Sequence, residues 1–355
     1  MKAFESIKIT DPFDSRKSQY NVLEKKALGI LKDERDLPFI HLMLRISLTM
    51  LPLGILLFFT HGWLWWAIAA IYFYLNHVYF KGPFGLMLHC TSHRPLFKQE
   101  NGYLNHYLPW IVAPFFGHSP ETYFAHHVGM HHAENNLSED ESSTMPYQRD
   151  SLRDFLKYFA NFFFFGIFTV YNYHKKRKRK YFMHKILAGE FSFWALAIIL
   201  GFINFPATFM VFLFPFLIFR LVAMVGNWAQ HAFVDADDPG NHYKNSVTCI
   251  NHPYNHKCWN DGYHISHHIL PNKHWTEHPQ HLVDHPDEYA QNKALVFEGI
   301  DFLGIFALVI RRRYDLLAKR LVNINNTYAS EEEAIALMKE RTKKIVVSGV
   351  PQIAT

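Results

Sequence analysis

The chain has 355 residues, 49% of them hydrophobic and 17% aromatic, with a formal net charge of +5. The apolar residues fall in blocks that alternate with polar, histidine-bearing stretches, which excludes an ordinary soluble globule and points to a chain shared between membrane and water. Its three cysteines, Cys90, Cys249 and Cys258, form no CxxC pair, so a disulfide-held secreted domain is excluded as well.

Residues 1–38 are polar and mixed in charge. They lack an apolar core followed by a small-residue cleavage site, so no signal peptide is expected, and 20–35 is expected to form an interfacial helix. An apolar run over 40–59 is long enough to cross a hydrocarbon core of ~30 Å at ~1.5 Å per residue. A tight turn, "THG", follows at 60–62. The second run, 63–80, opens on the tryptophans expected at a membrane interface, and Lys81, Gly82 and Pro83 are expected to end it. "YLPWIVAPFFG" at 107–117 carries two prolines and is expected at the surface, and 135–150 reads as a loop. "NFFFFGIFTVY" at 161–171 is too short to cross and is expected to lie at the interface. Two further spans, 190–205 and 207–226, flank Pro206.

Basic clusters at 174–180 and 311–313 flank these blocks, whereas the turns at 60–62 and near 206 carry no Lys or Arg. Beside apolar spans, such clusters read as cytoplasmic flanks rather than as a nucleic-acid surface. The positive-inside rule then puts both turns outside and both termini in the cytosol. The expected fold is an all-α integral membrane protein, with four transmembrane helices in two hairpins and a cytosolic helical cap holding a histidine-rich dimetal site. Residues 1–38 form its N-terminal segment, 39–311 its membrane domain and 312–355 a cytosolic C-terminal tail.

Three histidine clusters carry the chemistry. "HCTSH" places His89 and His93 on one helical face; "HVGMHH" contributes His127, His131 and His132; "HISHH" presents His264, His267 and His268 within about one turn. A fourth element, "NWAQH", sets Asn227 four residues before His231. Each neutral imidazole offers one lone pair to a metal while its second nitrogen is oriented by an outer carboxylate or carbonyl. One ion takes roughly four to six donors, so nine histidines suit two ions. With four spans, every cluster emerges on the same cytosolic side. A metal transporter or lipid-sensing receptor is the reading from another class, but a transporter would place its ligands inside the spans. Isolated histidines, among them His41, His77, His118, His174 and His242, read as ordinary polar groups. His274, His278, His281 and His285 read as a solvated surface interrupted by Pro279 and Pro286, and His126 is left open.

In these residues the chain resembles the membrane fatty acid desaturase superfamily, whose histidine boxes occur here in the same order. The resemblance covers roughly 40–300 and implies a mushroom-shaped helical membrane protein with two non-haem irons. Such enzymes use O2 and externally supplied electrons to break unactivated C–H bonds of lipid chains. The chain is also similar to the stearoyl-CoA desaturases in its NxxxH element. That similarity implies direct metal ligation by His89, His93, His127, His131, His132, His231, His264, His267 and His268, with Asn227 acting through water. The implied activity is desaturation of a fatty acyl chain, as acyl-lipid or acyl-CoA, in the bacterial inner membrane or endoplasmic reticulum. The alternative with the same centre is a hydroxylase or ketolase acting on an alkane, carotenoid or sphingolipid. The first box has three residues between its histidines where animal acyl-CoA desaturases have four, and the third begins with His264 rather than the Gln of front-end desaturases. No HPGG haem motif occurs, so no fused cytochrome b5 is expected, and the resemblance implies a separate donor of ferredoxin or cytochrome b5 type.

Overall fold

A computed structural model describes residues 1–345. Helix α1, Val22–Ile30, starts at a reciprocal cap: Asn21 accepts from the Glu24 backbone while Glu24 accepts from that of Asn21. Three helices are long and apolar enough to cross a membrane, Glu34–Phe59, Lys180–Ile203 and Phe205–Gln230, and they mark a membrane protein. Helix α2 (Leu37–Phe59) lies in the first of them. Helix α3 runs unbroken over 62–93, through the stretch expected to end it. Pro83 has no N–H to donate. A wider π-helical turn at Tyr74–Phe80 shifts the hydrogen-bond register just ahead of it, so the chain stays helical past the proline. Helix α3 exceeds the other three in length, but its tryptophans, Asn76 and His77 dilute its apolar character, and it is not among the three apolar crossings.

The segment 107–117 does not lie on the surface. Leu108, Val112, Ala113, Pro114 and Phe116 are buried against the helices. Its backbone polar groups therefore need internal partners. The Phe115 carbonyl accepts from Nδ2 of Asn76 at 2.7 Å and from the Tyr72 hydroxyl at 3.3 Å, and both side chains are fully buried on α3.

Helix α4 spans 122–134. The stretch 161–171 belongs to a longer helix, α5 (Leu152–Lys176), which buries Phe155, Tyr158, Val170 and Tyr173 and exposes Phe164, Phe165 and Phe168. Helix α6 (Lys180–Ile203) begins ten residues before the expected span. Its Gly189 sits against the Pro120 carbonyl so closely that a Cβ there would lie 1.6 Å from that oxygen. Helix α7 (205–230) follows after Asn204, whose Nδ2 donates to the Phe58 carbonyl at 3.3 Å. That bond sets the α6–α7 tip beside the α2–α3 tip.

The opposite end of the molecule is a cap, and it is not purely helical. Strand β1 (Lys2–Ala3) pairs in parallel with β4 (Val322–Asn323), and β2 (Val247–Ile250) with β3 (Leu295–Glu298). The buried Val247, Cys249, Leu295 and Phe297 form a core onto which Tyr314, Leu317 and Met338 pack. Residues 314–345, expected as a tail, thus build the cap. Arg149, fully buried, donates to the carbonyls of Ala232 (3.2 Å), Arg341 (3.0 Å) and Lys343 (2.6 Å). The last part of that expected tail, 346–355, lies outside the described residues.

Candidate metal centre

Four helical pieces converge at the cap end of the bundle. Helix α3 delivers His89 and His93 from its last turn, α4 delivers His127, His131 and His132, and His231 follows directly on α7. Helix α8 (His264–Ile269) brings His264, His267 and His268, all buried. The structure sorts these nine into two groups, within each of which the ligand nitrogens lie within 4.8 Å of one another. His89, His93, His127, His132 and His267 form the first; His131, His231, His264 and His268 form the second. The groups adjoin, with the rings of His132 and His268 4.8 Å apart.

Local backbone geometry decides which histidine joins which group. Residues His127–His131 form a π-helical turn, which has more residues per turn than an α-helix. It aligns His127 with His132, their Nε2 atoms 3.1 Å apart, and turns His131 toward the second group. In the α-helical α8, His264 and His268 share a face, with Nε2 atoms 3.0 Å apart. His267 points the other way, its Nε2 2.8 Å from that of His89 and 3.0 Å from that of His132.

Two outer nitrogens are anchored. Nδ1–H of His131 donates to the Asp140 carboxylate at 2.6 Å, and Asp140 also accepts from the Ser142 hydroxyl at 2.8 Å. His231 donates from Nδ1 to the backbone carbonyl and the side chain of Asn245, each at 2.9 Å. The Asp261 carboxylate lies 3.4 Å from Nδ1 of His89, near it but without a hydrogen bond. The bonds to His131 and His231 fix the tautomer that leaves Nε2 unprotonated and facing inward. Burial, reinforced by the neighbouring histidines, pushes the pKa of His127, His132, His264, His267 and His268 well below the usual imidazole value. Burial likewise pushes His231 down to about 4. Neutral imidazoles therefore meet with their lone pairs together, which is unfavourable alone and is what a cation relieves. An ion bound at about 2.0–2.1 Å spaces its nitrogens up to about 4 Å apart, and the closest Nε2 contacts within each group, 2.8–3.1 Å in the first and 3.0–3.3 Å in the second, fall inside that span.

All nine histidines expected as ligands lie in these groups. Asn227 stands beside them on the wall of a cavity of about 1050 Å³ that His89, His127, His131 and His264 also line. Its amide donates to the Ser142 carbonyl and the Tyr158 hydroxyl, each at 2.8 Å. None of the isolated histidines joins either group, and neither does His126. His274, His278 and His281 are buried rather than solvated, because the cap covers them: His274 meets Asp36 at 3.0 Å and His278 meets Ser266 at 3.0 Å. The orienting residues Asp140 and Asn245 carry no signal in the sequence, since polar residues in loops follow no periodicity.

A model of the family described as fatty acid desaturase matches residues 63–299, about two thirds of the chain. The chain belongs to the fatty acid desaturase family. The matched region runs from the start of α3 to just past β3 and includes all three histidine boxes and the NxxxH element. No curated protein and no solved structure matches the chain. Family membership makes this desaturase-family chain an oxidoreductase with desaturation-type chemistry, and its apolar helices put that chemistry at a membrane.

Proposed function

We propose that this member of the family is an O2-dependent desaturase of a fatty acyl chain, taken as acyl-lipid or acyl-CoA, with two irons in the adjoining histidine groups. One observation carries the reading: two all-imidazole groups, with no thiolate to oxidise, line the end of one large, mainly apolar cavity. His89, His93, His127, His132 and His267 hold one iron. His131, His231, His264 and His268 hold the other, with Asn227 acting through water. Bound there, the iron pair supplies the O2 activation that removes hydrogen from an unactivated carbon. The chain's own residues hold the acyl chain and keep water away, so that orientation selects which C–H bonds react. Two hydrogens leave adjacent carbons, two electrons arrive from a separate ferredoxin or cytochrome b5 type donor with two protons from water, and both oxygen atoms end as water.

Residues 39–311 supply the membrane domain and most of the histidine cap. Helices α2, α3, α6 and α7 form four spans in two hairpins, with tips outside and both termini and the metal centre in the cytosol. The contact between the two tips and the basic flanks support this orientation, in a bacterial inner membrane or the endoplasmic reticulum.

The test is isotopic. Cells expressing the protein receive a saturated fatty acid deuterated at adjacent carbons, under 18O2. The alkene product should lack two deuteriums and carry no 18O. A product carrying one 18O as an alcohol contradicts desaturation and leaves the hydroxylase chemistry in its place.

A further inference from the structure

The cavity that reaches the histidines is apolar along most of its wall, yet three basic side chains face it from below the metal centre. Lys81 sits eight residues before His89 on α3, and Arg220 eleven residues before His231 on α7. At about 1.5 Å per residue they lie some 12–16 Å from the histidines, toward the tips. His118 follows the turn at Gly117, whose backbone (φ +86) packs directly on Pro215 and Phe216 of α7. All three line the cavity, and each is at most 7% exposed.

Among the described residues none of the three forms an ion pair. Among the described residues Arg220 makes no hydrogen bond and no ion pair; its guanidinium stacks 4.3 Å from the Phe216 ring, and its Nε is buried without a partner. Both ring nitrogens of His118 are buried and unpartnered. The Lys81 ammonium makes one bond, to the Phe116 carbonyl at 3.2 Å, which draws it inward rather than toward the lipid surface. Of the acidic groups nearby, Glu190 bears on Arg220 by its charge without forming an ion pair with it, and its oxygens are held by neutral donors. Glu190 accepts from Ser119, from Thr122 at 2.9 Å and from Trp194 at 3.2 Å, while Glu121 pairs with Lys185 at 2.6 Å. An unpaired guanidinium and ammonium buried at membrane depth are costly, and such groups mark where a ligand's charge sits. A purely hydrocarbon tail would leave both cations unpaired, and the methyl end of an acyl chain is a poor occupant for this part of the cavity.

We infer that Lys81, His118 and Arg220 form an oxyanion-binding site within the cavity, which anchors the acidic end of a single-chain lipid substrate. This rests on the desaturase chemistry above, replaces acyl-CoA as the substrate form with a single-chain acidic lipid, and adds the direction of entry. The oxyanion is the carboxylate of a free fatty acid or the phosphate of a lysophospholipid; the guanidinium fork suits both. Anchoring the acid end fixes the reacting carbon by its distance from that end, whatever the chain length.

The experiment measures binding, which needs no turnover and so stands apart from the reaction. Full-length protein in lipid nanodiscs is titrated with palmitate, lysophosphatidic acid and methyl palmitate. At least one acidic lipid should bind about tenfold or more tightly than the neutral ester, as expected of charge-assisted hydrogen bonds. Tighter binding of palmitate identifies the carboxylate source, and tighter binding of lysophosphatidic acid the phosphate. Arg220→Gln should remove this preference and leave the ester's affinity unchanged, and Arg220→Lys should keep part of it. Equal binding of acid and ester by the wild type overturns the site without any variant. So does an Arg220→Gln protein that folds and keeps the full preference. Acid-selective binding without an alkene product would instead count against the desaturase reading and leave this site standing.

Discussion

Asp140 illustrates how much of the centre depends on single residues outside the histidine boxes. Burial alone would raise its pKa, but its electrostatic contact and hydrogen bond with His131 outweigh burial and hold the carboxyl well below the usual carboxylate range. The ionised group then keeps the His131 proton on Nδ1 and makes Nε2 a stronger donor. Asp140→Asn keeps the shape and loses the charge. It should weaken metal binding in the second group by about 10–100-fold, the usual cost of losing such an orienting partner, and leave the first group filled. A chelator competition on the purified variant checks this, and unchanged retention in both groups would contradict the assigned role. The nine histidines themselves were legible because each box repeats one residue type at helical spacing. Their division into five and four was not, because it depends on the π-helical turn at His127–His131, for which the sequence carries no mark. Asp140, in a polar loop, has the same composition signature as any solvated acid.

At the scale of elements, apolar runs made most of the bundle legible, and their ends were the weak point. Pro83 looks like a helix stop, yet the π-helical turn before it carries α3 on to His93 and so delivers the first box. The segment 107–117 looks like surface because of its prolines. It is held inside because Asn76 and Tyr72, far away in sequence, satisfy the Phe115 carbonyl, and no local pattern reports such a partner. The short strands of the cap depend on pairing partners far apart in sequence, Val247 with Leu295 in β2 and β3 and Lys2 with Val322 in β1 and β4, which periodicity does not reveal. The proposed hairpins make a direct prediction. His61 at one tip and Ser138 in the cap are both exposed. In intact cells an impermeant thiol reagent should label His61→Cys above the wild-type background and leave Ser138→Cys unlabelled. Labelling of Ser138→Cys from outside would mean an odd number of crossings before it.

Across the whole molecule, the helices separate two jobs. The α2–α3 and α6–α7 tips lie together, and His89 is 27 residues along α3 from its start, a rise of about 40 Å. On the proposed topology that length carries the chain across a bilayer and lifts the histidines beyond it, which would put the electron donor on the water side and the acyl chain in the cavity. The central claim is that nine histidines hold two metal ions in two adjoining groups. It is tested most directly by counting iron per chain in full-length protein purified from iron-supplemented cells. The wild type should hold about two irons, the number that nine donors suit, and His131→Ala or His268→Ala should fall to about one. A folded wild type that holds one iron, or a folded variant that still holds two, would contradict the account.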